Sequence, residues 1–380
     1  MRLRSLVARG FRNLADLDFE LPPEGVALLG ANGQGKTNLL EALYYPVLCR
    51  SFRGASDQEI GCFGGPGFHV EVQLAPEGGQ PERRTEPEPE VRSEPKRRPE
   101  VHLSVGATYL AAQRRKRITV GAEEIPRVAD AVGLCLAVAF LPVDVGLATG
   151  PAADRRRYLD RLLSLAEKPY LLALSRYRAA LAQRNSALRQ HRPELAHAFD
   201  GVLADAGAVI VDRRLAWLER AGAQFAAELA CLGEGLPVTL RYRGRRELAD
   251  RAAWDEALAA AAARDRARGV TTLGPHRDDL VLELAGRPLR EVGSTGQQRT
   301  AAVALKLLEL DTLCEARSTE PALLLDDVFA ELDRDRQERL ARRLAAAPGR
   351  QVFVTAPRRD ELPPGMALPI WEVERGRVKR

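Results

Sequence analysis

Residues Gly30-Ala31-Asn32-Gly33-Gln34-Gly35-Lys36-Thr37 complete the pattern of a phosphate-binding loop. The apolar run Val26-Ala27-Leu28-Leu29 precedes it and Asn38-Leu39-Leu40-Glu41-Ala42-Leu43 follows, so the loop joins a buried strand to a helix. Glycines at 30, 33 and 35 let the main chain wrap closely around a polyphosphate, with its N–H groups and the helix N-terminus facing the anion. In that arrangement Lys36 reaches the β- and γ-phosphates and the Thr37 hydroxyl enters a Mg²⁺ shell. A glycine-rich turn opening a helix is the bland alternative. The complete pattern in a strand–loop–helix setting favours a nucleoside triphosphate site in an α/β fold.

A chain of 380 residues can hold two domains or one elaborated domain. A hydrophobic fraction of 45% and a charged fraction of 29% describe a soluble globular protein. The formal charge of +5 permits nucleic-acid binding without arguing for it, so local clusters must carry that case. Cys49, Cys62, Cys135, Cys231 and Cys314 are scattered and form no C-x-x-C pair, which argues against a disulfide framework or a zinc site. The first residues lose apolar character at Arg9 and Arg12, unlike a signal peptide. The apolar stretch from Ala131 to Val143 is too short for a bilayer. A cytoplasmic location with no membrane partner is the expectation.

Residues 1–74 read as strands around the loop and its helix. Pro, Glu and Arg dominate Pro76 to Glu100, which predicts a disordered loop or, as an alternative, an acidic interaction element. Between about Asp154 and Arg268 the pattern is helical. Val211, Leu215, Leu218, Gly222, Phe225, Leu229 and Leu232 form one apolar seam of three heptads, a packing element rather than a long arm. Tyr170 to Leu188 and Trp254 to Ala267 mark two more amphipathic helices, the second stopped at Gly269. Strand character returns at Leu280–Leu284, Ala322–Leu325 and Gln351–Thr355, and Ile370–Val373 with Gly376 predicts a closing hairpin. The expected architecture is one α/β nucleotide-binding domain, residues 1–150 and 270–380, split by an inserted compact helical lobe, residues 151–269.

The strand Ala322–Leu325 delivers Asp326 and Asp327 at its C-terminal end, where a phosphate loop needs a carboxylate. Asp326 fits the holding of Mg²⁺ and Asp327 the polarising of an attacking water; capping of a strand by acidic turn residues is the alternative. Ser294-Thr295-Gly296-Gln297 opens another helix, a second anion-binding terminus. Asp333 follows in Glu331-Leu332-Asp333. One nucleotide has no use for two such termini unless the second belongs to another subunit. The order of phosphate loop, S-x-G-Q string, D-D strand and L-D is similar to that of ABC-type ATPases, in which two chains sandwich two ATP molecules head to tail.

The chain resembles the RecF family, bacterial recombination-mediator ATPases related to SMC-type proteins. The resemblance rests on Gly10-Phe11-Arg12-Asn13-Leu14, the phosphate loop, Phe140-Leu141-Pro142-Val143-Asp144 and Arg155-Arg156-Arg157-Tyr158-Leu159-Asp160. It continues through Gln183 to Leu188, Gly274 to Leu280, Ser294 to Arg299 and Leu323 to Asp333. The resemblance implies an ABC-type head, with Arg12 and Asn13 near the adenine and phosphates. It puts Thr355 where many ABC ATPases carry a γ-phosphate-sensing histidine, in keeping with slow hydrolysis. It also implies an ATP-dependent homodimer on double-stranded and gapped DNA, working with RecO and RecR to load RecA. An SMC protein needs a far longer coiled coil, an ABC transporter subunit needs membrane partners, and a P-loop kinase has no use for Ser294–Gln297. A non-hydrolysing, ATP-gated DNA-organising protein is the second reading.

Arg114-Arg115-Lys116-Arg117 and Arg155-Arg156-Arg157 are candidate DNA contacts through phosphate neutralisation. A solvated hairpin tip explains the first run equally well. The second opens a helix, where positive charge opposes the macrodipole, which points to an anionic partner or internal carboxylates. Aromatic residues do not interleave with either run, which favours duplex-backbone binding over base stacking.

Overall fold

The computed structural model describes residues 2–62, 65–75, 103–235, 237–347, 349–363 and 365–380. The Pro76–Glu100 stretch therefore lies outside the described residues. The strands of the first half are β1 (Arg2–Arg9), β2 (Leu17–Glu20), β3 (Gly25–Leu29), β4 (Gly67–Ala75), β5 (Leu103–Leu110), β6 (Arg115–Val120), β7 (Glu123–Ile125) and β8 (Ala137–Phe140). Those of the second half are β9 (Val238–Arg243), β10 (Asp279–Leu284), β11 (Arg287–Pro288), β12 (Ala322–Leu325), β13 (Val352–Ala356), β14 (Ile370–Glu374) and β15 (Arg377–Lys379).

The sheet that carries the phosphate loop runs β15-β14-β3-β13-β12-β8. Its strands pair in parallel from β14 to β8, and only the β14–β15 hairpin is antiparallel. Parallel strands are buried on both faces, which is why β3, β8 and β12 are unbroken apolar runs. A second, wholly antiparallel sheet runs β2-β1-β4-β5-β6-β7. The loop helix Lys36–Leu48 packs between the two sheets, so most of its residues are buried.

Four long helices, Ala152–Ala166, Lys168–Arg189, Asp200–Cys231 and Ala253–Arg268, make the inserted lobe. Asp200–Cys231 carries the heptad seam and packs on Lys168–Arg189 and on the later helix Thr295–Arg317. At 32 residues it is about 48 Å long, and its seam is consumed inside the lobe rather than in a coiled-coil arm. Gly207 of this helix lies against the Trp254 ring, and a Cβ there would come within 2.2 Å of it. Tyr158 Oη donates to Leu305 O at 2.6 Å and Trp217 Nε1 to Thr312 Oγ1 at 3.0 Å, fastening the lobe to Thr295–Arg317. The block read as helical also contains a strand. β9 pairs along its length with β10, and β11 completes a three-stranded antiparallel sheet. No helix of the described residues is long and apolar enough to cross a membrane.

Candidate nucleotide site

The loop helix begins at Lys36 behind Gly35, whose φ of 109° is open to glycine, and its first turn holds no acidic residue. An N-terminus of this kind offers free N–H groups and a positive dipole end to an anion. Lys36 is buried, and its Nζ donates to Gly30 O (2.6 Å) and Ala31 O (3.2 Å). The ammonium is thus already held over the loop that a polyphosphate would enter. Ala31, Asn32 and Gly33 are exposed at the loop tip.

Parallel pairing of β12 with β13 and β8 brings the second half of the site to the loop. Thr37 Oγ1 donates to Asp326 Oδ1 at 2.8 Å, although the two residues are far apart in sequence. Asp326 N donates to Phe140 O at 2.9 Å, which anchors the end of β12. Burial pushes the Asp326 carboxyl above its ordinary range, while the hydroxyls of Thr37 and Thr355 draw it back. A Mg²⁺ ion fits this donor pair: a hydroxyl and a carboxylate are hard oxygen ligands, and such an ion completes its shell with substrate phosphates and water. Among the described residues no cluster of three or more His, Cys, Asp or Glu could hold a metal alone, so nucleotide oxygens would have to contribute. When bound, the ion would neutralise charge on the phosphates.

Asp327 adopts a left-handed backbone, φ 48°, a strained conformation that Asp tolerates better than most residues. Its N–H donates to Thr355 Oγ1 at 2.9 Å. The same hydroxyl stands 3.0 Å from Asp326 Oδ1 and 3.1 Å from Asp327 Oδ1. A hydroxyl carries one proton, so Thr355 donates to one carboxylate at a time and accepts from the Asp327 amide. Thr355 is buried behind the aspartate pair and orients it.

Arg12 is held by the loop helix. Its Nε and Nη2 donate to Glu41 at 2.9 and 3.0 Å, and Nη1 donates to Glu59 O at 3.2 Å. Glu41 is fully buried on the loop helix. Asn13 does border the loop: its Oδ1 accepts from Asn38 at 2.7 Å and its Nδ2 reaches Gly33 O at 3.5 Å. Sequence reasoning missed Arg53, which donates to Asn38 Oδ1 at 3.0 Å and lowers the Asp326 carboxyl through its charge. It also missed the docking of the β14–β15 hairpin on the loop. Gly376 N donates to Gln34 O (2.8 Å), Arg375 N to Gln34 Oε1 (2.7 Å), and Ala15 N to Gly376 O (2.9 Å).

Ser294 caps the helix Thr295–Arg317. Its Oγ accepts from Gln297 N at 3.3 Å, and its own N–H donates to Gln297 Oε1 at 2.9 Å. This reciprocal box leaves Ser294 exposed and pre-shapes the helix end. Asp333 caps the next helix, Arg334–Ala345, by accepting from Arg336 N at 3.0 Å. Arg336 pairs with Asp333 at 2.8 Å, and a Cβ on Gly296 would lie 3.1 Å from its Nη1. Arg336 thereby adjoins both the Ser294–Gln297 turn and Asp333. Among the described residues no hydrogen bond joins this turn to the phosphate loop of the same chain.

The basic runs divide. Arg155 is buried, forked onto Asp279 at 2.8 and 2.9 Å, and offers DNA no surface; the carboxylate it needed came from β10. Arg156 donates to Asp278 O at 2.8 Å, and Arg157 is exposed beside Asp154. In the first run Lys116 pairs with Asp57 at 2.8 Å, while Arg115 and Arg117 share Glu124 at 3.2 and 3.9 Å. Arg114, Arg115 and Arg117 are exposed on the antiparallel sheet.

A phosphate loop, an apolar strand ending in paired aspartates and a capped S-x-G-Q helix, on a mixed sheet with a helical insertion, together define an ABC-type ATPase head. Solved structures agree. The recombination mediator protein RecF-ATPrS of the RecFOR pathway superposes with a TM-score of 0.82 at 30% identity, covering 99% of this chain and 97% of that one. An SMC head bound to the C-winged helix domain of ScpA shares the fold alone, at TM-score 0.54 and 14% identity. No protein-family model matches the chain. Among curated proteins, the DNA replication and repair protein RecF of Salinibacter ruber is 34% identical over 385 aligned residues, 96% of this chain and 87% of the relative. RecF of an Anaeromyxobacter species is 36% identical, across 100% of this chain and 99% of the relative. The chain belongs to the RecF family.

Proposed function

We propose that this protein is an ATP-dependent DNA-binding protein of recombinational repair whose ATP-bound homodimer clamps double-stranded DNA beside single-strand gaps. The observation that supports the reading is that each chain carries a phosphate loop and, apart from it, a pre-capped helix terminus bearing the S-x-G-Q string. In the sandwich the loop with Lys36, Thr37 and Asp326 would form one half of a site, and the pre-capped Ser294–Gln297 turn, with Ser294 exposed, would form the other. Two chains arranged head to tail would place the Ser294 turn of each over the ATP of the other. Thr37 and Asp326 would hold Mg²⁺, Asp327 would orient the attacking water, and Thr355 would hold Asp327 in place. Hydrolysis then separates the chains and releases DNA.

In this reading residues 1–150 and 270–380 form the ATPase domain and 151–269 the lobe. The protein works in the cytoplasm, and partners equivalent to RecO and RecR help it to load a RecA-type recombinase. The RecF-ATP structure, at 27% identity and TM-score 0.85, supports ATP as the nucleotide. The exposed Arg114, Arg115, Arg117 and Arg157 are available for DNA phosphates. Sedimentation with ATP, ADP and gapped DNA tests the mechanism. Lys36→Met should abolish ATP binding, dimerisation and DNA retention together. Ser294→Arg should keep ATP binding and lose the dimer, and a Ser294→Arg protein that still dimerises with ATP sinks the sandwich. A second reading, ATP used only as glue by a DNA-organising protein, draws on the uncharged Thr355 hydroxyl behind the aspartates.

A further inference from the structure

A cavity of about 270 Å³ opens on the helical lobe and shares no residue with the phosphate loop. Helices Ala152–Ala166, Lys168–Arg189 and Asp200–Cys231 wall it, and the loop at Pro275-His276 closes one side. Four of its lining residues are arginines, Arg156, Arg157, Arg178 and Arg214, against one carboxylate, Asp160.

That carboxylate is already committed. Asp160 accepts from Tyr170 Oη (2.7 Å), Arg178 (2.8 Å) and Arg214 (2.8 Å). Arg157 meets Asp154 at the exposed edge, and Arg156 makes no ion pair among the described residues. Asp278, behind Arg156, accepts a hydrogen bond from Tyr242 Oη and pairs with Arg214 at 3.8 Å; burial raises its carboxyl above the ordinary range, while Tyr242, Arg214 and Arg156 draw it back. His276 adds no charge near neutral pH, because burial lowers it to about 4; its Nδ1 is hydrogen-bonded to Tyr177 Oη at 2.7 Å. Four arginines against Asp154, Asp160 and Asp278 leave the cavity a small excess of positive charge, in surroundings partly shielded from water by Leu174, Leu181 and Ile210. Of the four arginines, Arg156 alone makes no ion pair among the described residues, and it is half-buried, where a cation gains from an anionic partner. Guanidinium groups on three helices match the several oxygens of a phosphate better than the single charge of a halide.

We propose that this cavity is a second phosphate-binding site, with Arg156, Arg157 and Arg178 at its mouth and Arg214 at its floor. The phosphate comes from the DNA backbone or from a free anion. Only the first source rests on the DNA-binding reading above.

The probe is inorganic phosphate, applied to the Lys36→Met protein so that the loop site is silent. Thermal unfolding is followed in sodium phosphate and in sodium chloride at matched ionic strength. Phosphate raises the Tm of proteins generally by exclusion from their surfaces, so the readout is the difference between Lys36→Met and the same protein carrying Arg157→Ala and Arg178→Ala. Both arginines have more than half of their side-chain surface exposed, so the variant folds. A saturable extra Tm rise that is lost in the alanine variant and regained with lysine at both positions supports the site. Equal rises in parent and alanine variant overturn it. A second arm measures anisotropy of a labelled duplex, with Lys36 intact and ATP present, over a salt series. If DNA supplies the phosphate, the alanine variant loses about 0.9 from the salt slope per contact removed. An unchanged slope with the Tm effect retained identifies a free anion. Failure of the Lys36-intact protein to bind duplex refutes the DNA reading and leaves the phosphate arm decisive for this site.

Discussion

The Arg12–Glu41 pair decides whether a residue beside the phosphate loop serves the nucleotide or the loop's foundation. Glu41 has no exposed surface and takes two charge-assisted hydrogen bonds from Arg12, at 2.9 and 3.0 Å. Once Arg12 is replaced by Met, Ser51 remains hydrogen-bonded to Glu41, and the nearest other cation is Arg53 at 4.0 Å. Breaking a buried pair from one side costs about 3–5 kcal/mol, because the abandoned charge cannot return to water. With about 2.1 cal/mol/K of unfolding entropy per residue over 380 residues, a loss of about 4 kcal/mol lowers Tm by about 5 °C. Replacing Glu41 by Gln in the same chain removes the stranded charge and should recover at least half of the loss. Urea unfolding of the four proteins in the cycle gives the coupling, and fluorescent-ATP titration gives nucleotide affinity. If Arg12 acts through Glu41, affinity in Arg12→Met/Glu41→Gln returns along with stability. An Arg12→Met protein within about 1 kcal/mol of the parent would refute the buried-charge reasoning. Restored stability with affinity still lost would return Arg12 to the nucleotide.

Three further outcomes follow from the geometry. Gly376→Ala forces a side chain to within 2.0 Å of Asn13 O at a φ of +75°, so the hairpin should leave the loop and ATP affinity should fall several-fold in the same titration. Asp327→Asn should keep ATP binding while lowering turnover and lengthening the life of the ATP-bound dimer, read by steady-state hydrolysis and sedimentation. His276, lowered by burial to about 4 from 6.5, binds its proton more readily in the unfolded chain. Its contribution is thus full above pH 6.5 and lost as pH falls from there toward 4, by about 3 kcal/mol at most. Urea midpoints of His276→Gln should fall less steeply across that window than those of the parent.

What could be read from the sequence was local. Glycine spacing announced the phosphate loop, an apolar run ending in two acids announced β12, and the seam from Val211 to Leu232 announced a packed helix, because each pattern expresses its own backbone geometry. Pairings across long separations were not legible. Arg155 and Arg157 are neighbours in one basic run, yet Asp279 buries the first and solvent keeps the second. β9 was lost inside a helical block because its partner β10 lies beyond that block. The Arg12–Glu41 pair was equally hidden, because the carboxylate that takes the guanidinium sits on another element. The C-terminal hairpin was visible as a hairpin, and its seat on Gln34 was not.

That seat also has a consequence in time. The main chain at Arg375 and Gly376 holds Gln34 across a separation of 341 residues. A ribosome adds roughly 5–20 residues per second, so at least roughly 17–70 s pass between synthesis of the loop and synthesis of its brace. Throughout that interval the nascent chain carries the phosphate motif without the contacts that shape it. On the proposed mechanism, ATP-driven pairing would wait until residues 370–379 have emerged, and a chain truncated before them would be kept from joining, and poisoning, dimers of finished molecules.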